Sequence, residues 1–564
     1  MIAADYIAKY LGECGVHDVF GIPGGVILPL VYSFENQKPS LTPHLNYHEQ
    51  MAGFAACGYA QAANRLGVAY ATRGPGITNM VTCMAEAWQE SLPVLFITAH
   101  GNRGDKCSMR FEFDQEIDLA QSVNSFTKFA ANIDNVDDIP RLLQKACQIA
   151  MHGRKGPVFL DFSTKILKEE LSLCNKNVHF TTMLEGCYEN QVAIQIIKDE
   201  LSRRCRPVIL IGDGVRQANC ISEVRKWLNL LRIPVLSSRA SQDIVCDLEH
   251  YYGYIGSHGL RYSNFILSKA DLIIAVGNRL SFPVSSKSYT TIVKKSRVIR
   301  LEIDSTEFQR EFPNVINLFV DIKTFTSESI KHTYNIINPG SWIDICRKLK
   351  EELNQSDLTE PVLRIANFLK KVSSIVTYVC DVGNNEFWFS RAFELVRPEC
   401  HVLYSKSFGT LGSAIGRAIG AYYATKQKVI CVIGDQGFQY NIQELQYISY
   451  WELPIIILLL NNRASGMICN HENKNYARPL HVTIESGYAV PDFQKLCESY
   501  GIHYVNDFTI NKPENDFIVL WDKPLVYEIS YETIQLEPTL PIGNPCQKME
   551  PLLEKELYQK LNNL

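Results

Sequence analysis

The chain has 564 residues, 46% of them hydrophobic and 21% charged, with a formal net charge of −4. At roughly 100–200 residues per domain it has room for three or four folded domains, and its ordinary globular usage argues against long disordered stretches. No basic block runs along it to neutralise a phosphate backbone, so nucleic acid is not an expected partner.

The first segment, MIAADYIAKYLGECG, has helical apolar spacing and carries Asp5, so it reads as the first helix of a domain rather than a secretion signal. Short β-branched runs bounded by Gly or Pro follow at 18–25, 66–76, 93–98 and 156–162, alternating with helical patterns. This alternation predicts a parallel sheet covered by helices. A polar stretch near 172–190 comes next, and the strand-then-turn pattern resumes at 206–215, 232–236, 270–279 and 297–304. After a second polar segment at 350–360 it appears again at 377–383, 428–437, 453–462 and 524–530. Three consecutive α/β domains with parallel sheets are expected, at 1–175, 190–335 and 360–545. The longest apolar stretch, Leu453 to Leu460, is far short of the ~20 residues a bilayer needs, so no membrane span is expected. Seventeen cysteines without a CxxC pair read as thiols kept reduced in a cytoplasm.

Ligands of open parallel sheets gather at the carboxyl ends of strands. The most informative end follows VICVIG: Asp435, a helical stretch, then LPIIILLL closing in Asn461 and Asn462, with 27 residues from Asp435 to Asn462. That spacing fits one strand–helix–strand crossover, so the Asp435 carboxylate and the Asn462 amide oxygen can converge. One carboxylate with neutral oxygens suits Mg²⁺ shared with phosphates, and the 434–437 turn offers backbone N–H groups to the same phosphates. Taken alone, a Gly-Asp pair is more often a helix cap.

The whole span GDQGFQYNIQELQYISYWELPIIILLLNN resembles the thiamine diphosphate signature. The resemblance implies Mg²⁺ ligands at Asp435, Asn462 and the carbonyl of Ala464, and cofactor contacts at Gly434, Gln436, Gly437 and Met467. Gln436 stands where the family usually has Gly, and a left-handed backbone there would cost ~1 kcal/mol or more. SFGTLGSAIGRAIGA (407–421) is similar to the family stretch that bends the cofactor, which puts Leu411 on the wedge and Gly409 on the carbonyl facing the aminopyrimidine. Gly416 and Arg417 replace its usual Pro-Ala. CDVGNNEFW (380–388) implies Asn384 and Asn385 near the diphosphate.

Three N-terminal pieces, FGIPGG with Pro23, NYHEQMAGFAACGYA and TRGPGITNM, resemble the pyrimidine-binding half of acetolactate synthase and its relatives. A carboxylate opening a helix ordinarily just favours the macrodipole; the resemblance makes Glu49 the residue that hydrogen-bonds the pyrimidine and helps deprotonate the thiazolium carbon. The match runs in order over about 1–540 and implies a pyrimidine-binding, a central and a diphosphate-binding domain. Because Glu49 and Asp435 lie on different domains, and relatives join these domains across subunits, a homodimer or tetramer is implied.

The substrate end departs from the family. In FDQEIDL (113–119) Asp114 occupies a Phe position and Gln115 is kept, while AHG (99–101) puts His100 where a pocket Gln would sit. His100 and Gln115 are expected to handle substrate protons or orientation, although a buried hydrogen-bonding histidine is the commoner use of that residue. In the central domain IGDGVRQ is half a dinucleotide fingerprint; FAD stays open there, with contacts at 212–214, Arg279 and Asp304. The expectation is a thiamine diphosphate and Mg²⁺ dependent enzyme that decarboxylates a 2-oxo acid, pyruvate first among them, and passes the acyl carbanion to a carbonyl acceptor. Asp114 and the segments 486–502 and 536–553 favour a keto-sugar acceptor in surface-polysaccharide synthesis. The rivals are a conventional acetolactate synthase, a simple decarboxylase, and an inactive regulatory member of the fold.

Overall fold

The computed structural model describes residues 1–101, 114–171, 188–280, 295–309, 314–372, 375–405, 407–507, 522–531, 538–541 and 543–564. Most of the polar 172–190 stretch, Phe113 and the start of the 536–553 segment lie outside the described residues. No helix among the described residues is long and apolar enough to cross a membrane.

Three six-stranded parallel sheets follow one another, as expected. The first comprises β1 (Asp18–Gly21), β2 (Thr42–Leu45), β3 (Gly67–Tyr70), β4 (Val94–His100), β5 (Phe129–Ile133) and β6 (Val158–Ser163), in the order 2-1-3-4-6-5. The second comprises β7 (Pro207–Ile211), β8 (Val235–Ser237), β9 (Tyr251–Tyr254), β10 (Leu272–Val276), β11 (Arg297–Glu302) and β12 (Val315–Phe319), in the order 12-11-10-7-8-9. The third comprises β13 (Val376–Cys380), β14 (Cys400–Tyr404), β15 (Val429–Gly434), β16 (Ile455–Asn461), β17 (His503–Asn506) and β18 (Leu525–Ser530), in the order 14-13-15-16-18-17. The first and third sheets therefore share one topology, while the second has the strand order of dinucleotide-binding sheets. Central strands such as β4 and β16 are buried along their whole length, which is why they read as unbroken apolar runs.

The described residues group into two compact units. One is drawn from Met1–Met183, Lys371–Glu386 and Cys400–Ile534 and holds the first and third sheets; the other, from Leu184–Lys370, Phe387–Glu399 and Gln535–Leu564, holds the second. Within the first unit the Glu49–Ala63 and Ala414–Thr425 helices share one core that includes Ala55, Ala56, Ala418 and Ile419. Small residues make the crossing: a methyl group at Gly420 would overlap Ala55 O, and one at Gly58 would overlap Arg417 O. The Gly-Arg pair at 416–417, where the family pattern has Pro-Ala, thus sits inside this helix contact.

Candidate active site

In the third sheet Gly434 of β15 lies opposite Leu460 of β16, so Asp435 and the 461–462 pair leave the sheet at the same edge. β13 flanks β15 on the other side, and the strand order reverses between these two, the switch point where open sheets take ligands. Asn384 and Asn385 follow β13. A methyl at Gly466 would lie 2.6 Å from Asn462 Nδ2 and 3.1 Å from Asn384 Nδ2, and one at Gly434 would lie 2.9 Å from Asn385 Oδ1. Three strand ends thus bring Asn384, Asn385, Gly434, Asp435 and Asn462 together.

Asp435 is almost wholly buried, and burial pushes its carboxyl up to about 7 against the pull of the Gln436, Arg463 and Ala464 amides and the Tyr488 hydroxyl. Its Oδ1 accepts from Gln436 N at 2.9 Å; among the described residues its buried Oδ2 has no hydrogen-bond partner, and neither has the buried Asn384 Nδ2. A buried carboxylate oxygen and a buried amide N–H without partners are the complement a cation and a diphosphate need. Gln436 lies inside the right-handed Asp435–Tyr440 helix, so its side chain carries none of the backbone strain that a left-handed conformation would impose. Asn461 is spent on the turn: its Nδ2 donates to Glu528 Oε1 at 2.9 Å and its Oδ1 accepts from Arg463 N at 3.1 Å. Asn462 Oδ1 accepts from Ala464 N at 3.3 Å, which brings the Ala464 backbone beside the Asn462 amide. Met467 stands in the Gly466–Asn475 helix that follows, partly exposed.

Leu411 is half-buried and Gly409, with a φ of 73°, is exposed, both on the turn before the Ala414–Thr425 helix. That turn is fastened from both halves of the unit. Glu90 Oε1 accepts from Ser407 N at 2.6 Å and from Phe408 N at 3.2 Å. Asp381, at the end of β13, accepts from Gly412 N at 2.9 Å and Ala414 N at 3.3 Å, and burial pushes its carboxyl up to about 7.

In the first sheet the switch point falls between β1 and β3. The turn after β1 carries the exposed Pro23, and the adjoining Gly24 lies against Thr72 of the turn after β3. Glu49 opens its helix beside that second turn, with Oε2 accepting from Asn79 Nδ2 at 2.9 Å. Gly74, at φ 60°, leaves room only for the backbone of Gln115. Arg73 Nη1 donates to Glu116 Oε1 at 2.9 Å, and that oxygen also accepts from Gly101 N at 2.8 Å. Glu49, Gln115 and the exposed Asp114 thus share one rim. His100 does not open onto it: the imidazole is fully buried, with Nδ1 2.9 Å from Asp161 Oδ1 and Nε2 2.9 Å from Asp134 Oδ1. Among the described residues no hydrogen bond or ion pair joins Glu49 to Asp435.

The second unit presents its Gly212–Gly214 turn at the β7/β10 switch point. There a methyl at Gly214 would come within 2.7 Å of Gly277 Cα. Arg216 takes Asp213 at 3.1 Å and Asp243 at 2.6 Å, Asp304 accepts from Thr306 N at 3.0 Å, and Arg279 lies 3.8 Å from Glu307. The sequence reading passed over Glu86, Glu90, Glu444 and Tyr488. For the three glutamates the available signal was an acid on an otherwise apolar helix face, as in AEAWQE.

Three descriptions of the thiamine pyrophosphate enzymes match the chain in order. The N-terminal TPP binding domain matches at 1–122, the central domain at 194–328 and the C-terminal TPP binding domain at 381–518. The chain is 31% identical to a probable acetolactate synthase large subunit of Methanococcus aeolicus, over 89% of this chain and 87% of that protein. It is 28% identical to the acetolactate synthase isozyme 2 large subunit of Escherichia coli K12, over 98% and 100%. It is 29% identical to the acetolactate synthase large subunit of Lactococcus lactis, over 99% and 97%. With the three sheets, the matched strand-end turns and these relatives together, the chain belongs to the thiamine diphosphate-dependent carboligases of acetolactate synthase type.

Proposed function

We propose that this carboligase decarboxylates pyruvate and joins the two-carbon unit to a second 2-oxo acid, with Mg²⁺ held by Asp435, Asn462 and the Ala464 carbonyl. The observation that carries the metal is the buried Asp435 Oδ2 without a partner beside Asn462 and Asn384. When bound, thiamine diphosphate supplies the carbon nucleophile and the electron sink. Asn384, Asn385 and the 434–437 turn bind the diphosphate, and Leu411 and Gly409 bear on the ring system. Glu49 holds and moves the pyrimidine proton, while Gln115 orients substrate from the rim it shares with Glu49. His100, engaged on both nitrogens, fixes β4 to its neighbours and positions the rim rather than meeting substrate. A homodimer or tetramer, implied by the family resemblance, is the assembly we propose. A cytoplasmic enzyme fits the reduced-thiol pattern.

Asp114 favours a second acceptor. It is exposed beside Gln115, and an ionised carboxylate repels a 2-oxo acid while accepting hydrogen bonds from a hydroxylated keto-sugar. The deciding experiment supplies pyruvate, thiamine diphosphate and Mg²⁺, with and without nucleotide-linked keto-sugars, and measures CO₂ and acetolactate. Efficient acetolactate formation that no sugar stimulates supports the first reading; pyruvate use that depends on a sugar supports the second. No CO₂ from any 2-oxo acid overturns both. In the second unit the strand order favours a flavin, and the internally paired Arg216, Arg279 and Asp304 disfavour it. Flavin absorbance of the purified protein decides, and a colourless protein that takes up no added FAD removes it.

A further inference from the structure

Glu444 opens the Glu444–Tyr450 helix, nine residues beyond Asp435, and is fully buried. Its side chain reaches into the first sheet's half of the same unit. Oε1 accepts from Tyr47 N at 2.8 Å and His48 N at 3.0 Å, and Oε2 accepts from Asn46 Nδ2 at 3.1 Å. Those three residues are the whole turn between β2 and the helix that begins with Glu49. His48 is the N-cap of that helix, its Nδ1 accepting from Gln50 N at 3.1 Å, and Asn46 N donates to Gly21 O at 3.2 Å. The turn is therefore gripped by β1 on one side and by a carboxylate nearly four hundred residues away on the other.

Only a carboxylate suits this place. All three contacts are donors, and an ionised Glu offers acceptors alone, whereas an amide would face Asn46 Nδ2 with a donor of its own. A displacement of the turn moves Glu49 with it, and proton transfer is sensitive to such shifts. We propose that Glu444 is a positioning residue for Glu49, fixing through Asn46, Tyr47 and His48 where the Glu49 carboxylate stands. This rests on the reading of Glu49 given above.

The test compares wild type, Glu49→Gln, Glu444→Gln and the double variant Glu444→Gln/Asn46→Asp, in which the amide can donate to the new carboxylate. Three quantities are read: exchange of the C2 proton of bound thiamine diphosphate, the cofactor Kd, and amide hydrogen exchange of the 44–50 segment in cofactor-free protein. In Glu444→Gln we expect C2 exchange about ten- to a hundredfold slower, an unchanged Kd and faster amide exchange at 47 and 48, with both rates recovered in the double variant. Wild-type C2 exchange in Glu444→Gln, when Glu49→Gln is slow, overturns the positioning role alone. Wild-type exchange in Glu49→Gln overturns the reading of Glu49 and this proposal with it. Slow exchange with unaltered amide protection, or a Kd that rises as the rate falls, assigns Glu444 to another task and also overturns it.

Discussion

Arg417 Nη1 donates to Glu86 Oε1 at 3.0 Å, and neither side chain has any exposed surface. The same guanidinium donates to Gln61 Oε1 and to Tyr404 O, the latter at 2.8 Å, so one cation joins the Val81–Glu90 helix, the Glu49–Ala63 helix and β14. Ala at this position, as in the family pattern, would leave Glu86 facing an apolar crossing, where burial already pushes its carboxyl up. The pair has to be kept or lost together.

Removing one partner of a buried ion pair typically costs ~3–5 kcal/mol, because it strands the other charge, while replacing both with apolar groups is often near neutral. Arg417→Met and Glu86→Leu should each lower the unfolding free energy in urea by that order, and the double variant by less than either. A double variant that costs the sum of the two would show that the charges are uncoupled.

Gly420→Ala tests the helix crossing by the sign of its effect. Inside an isolated helix the change stabilises by ~1 kcal/mol. Here the methyl meets the Ala55 carbonyl, so a loss of about 2–3 kcal/mol or more is expected. Gly58→Ala, facing the Arg417 carbonyl, should act likewise. Thermal unfolding midpoints decide, and an increase in either variant would contradict the close approach.

Glu49→Gln should leave the fold intact and slow C2 proton exchange of bound thiamine diphosphate by ~10²–10⁴. Nuclear magnetic resonance of the quenched cofactor reads this directly. Exchange at the wild-type rate would remove Glu49 from proton transfer.

The Asp381 carboxyl, raised to about 7 by burial, binds its proton more tightly in the folded protein than in the unfolded chain. Its contribution to stability is therefore fully present below about pH 4 and is lost as pH rises through about 7, a swing on the order of 4 kcal/mol. In cofactor-free protein, the stability difference between wild type and Asp381→Asn should shift against the wild type from pH 4 to pH 8. Parallel pH curves for the two proteins would assign the titration elsewhere.

Which parts of the fold were legible follows from where each strand sits. The runs read from sequence, such as VICVIG and LPIIILLL, became central strands buried on both faces. The strands passed over are β2, β5, β9, β12, β14 and β17, which are the two outermost strands of each sheet. Segments such as TPHL and HYVN carry polar or exposed positions because an outer strand has a neighbour on one side only, and so they give no apolar run. At the site, the strand-end residues announced themselves through Gly-rich turns and polar punctuation. Glu444, Glu86 and Glu90 did not, since each is an acid on a helix whose partners lie hundreds of residues away, and no local pattern encodes that distance. His100 is held by Asp161 of β6 and by Asp134 just past β5, partners that no local sequence pattern encodes.

Residues 64–413 separate the two helices that cross at Gly58 and Gly420. While the chain is being synthesised, the small-residue face of the Glu49–Ala63 helix therefore stays uncovered until the Ala414–Thr425 helix has left the ribosome, with the whole second sheet made in between. A nascent chain halted before that point presents this face to chaperones, and truncation just short of residue 414 should give aggregation rather than a folded first sheet.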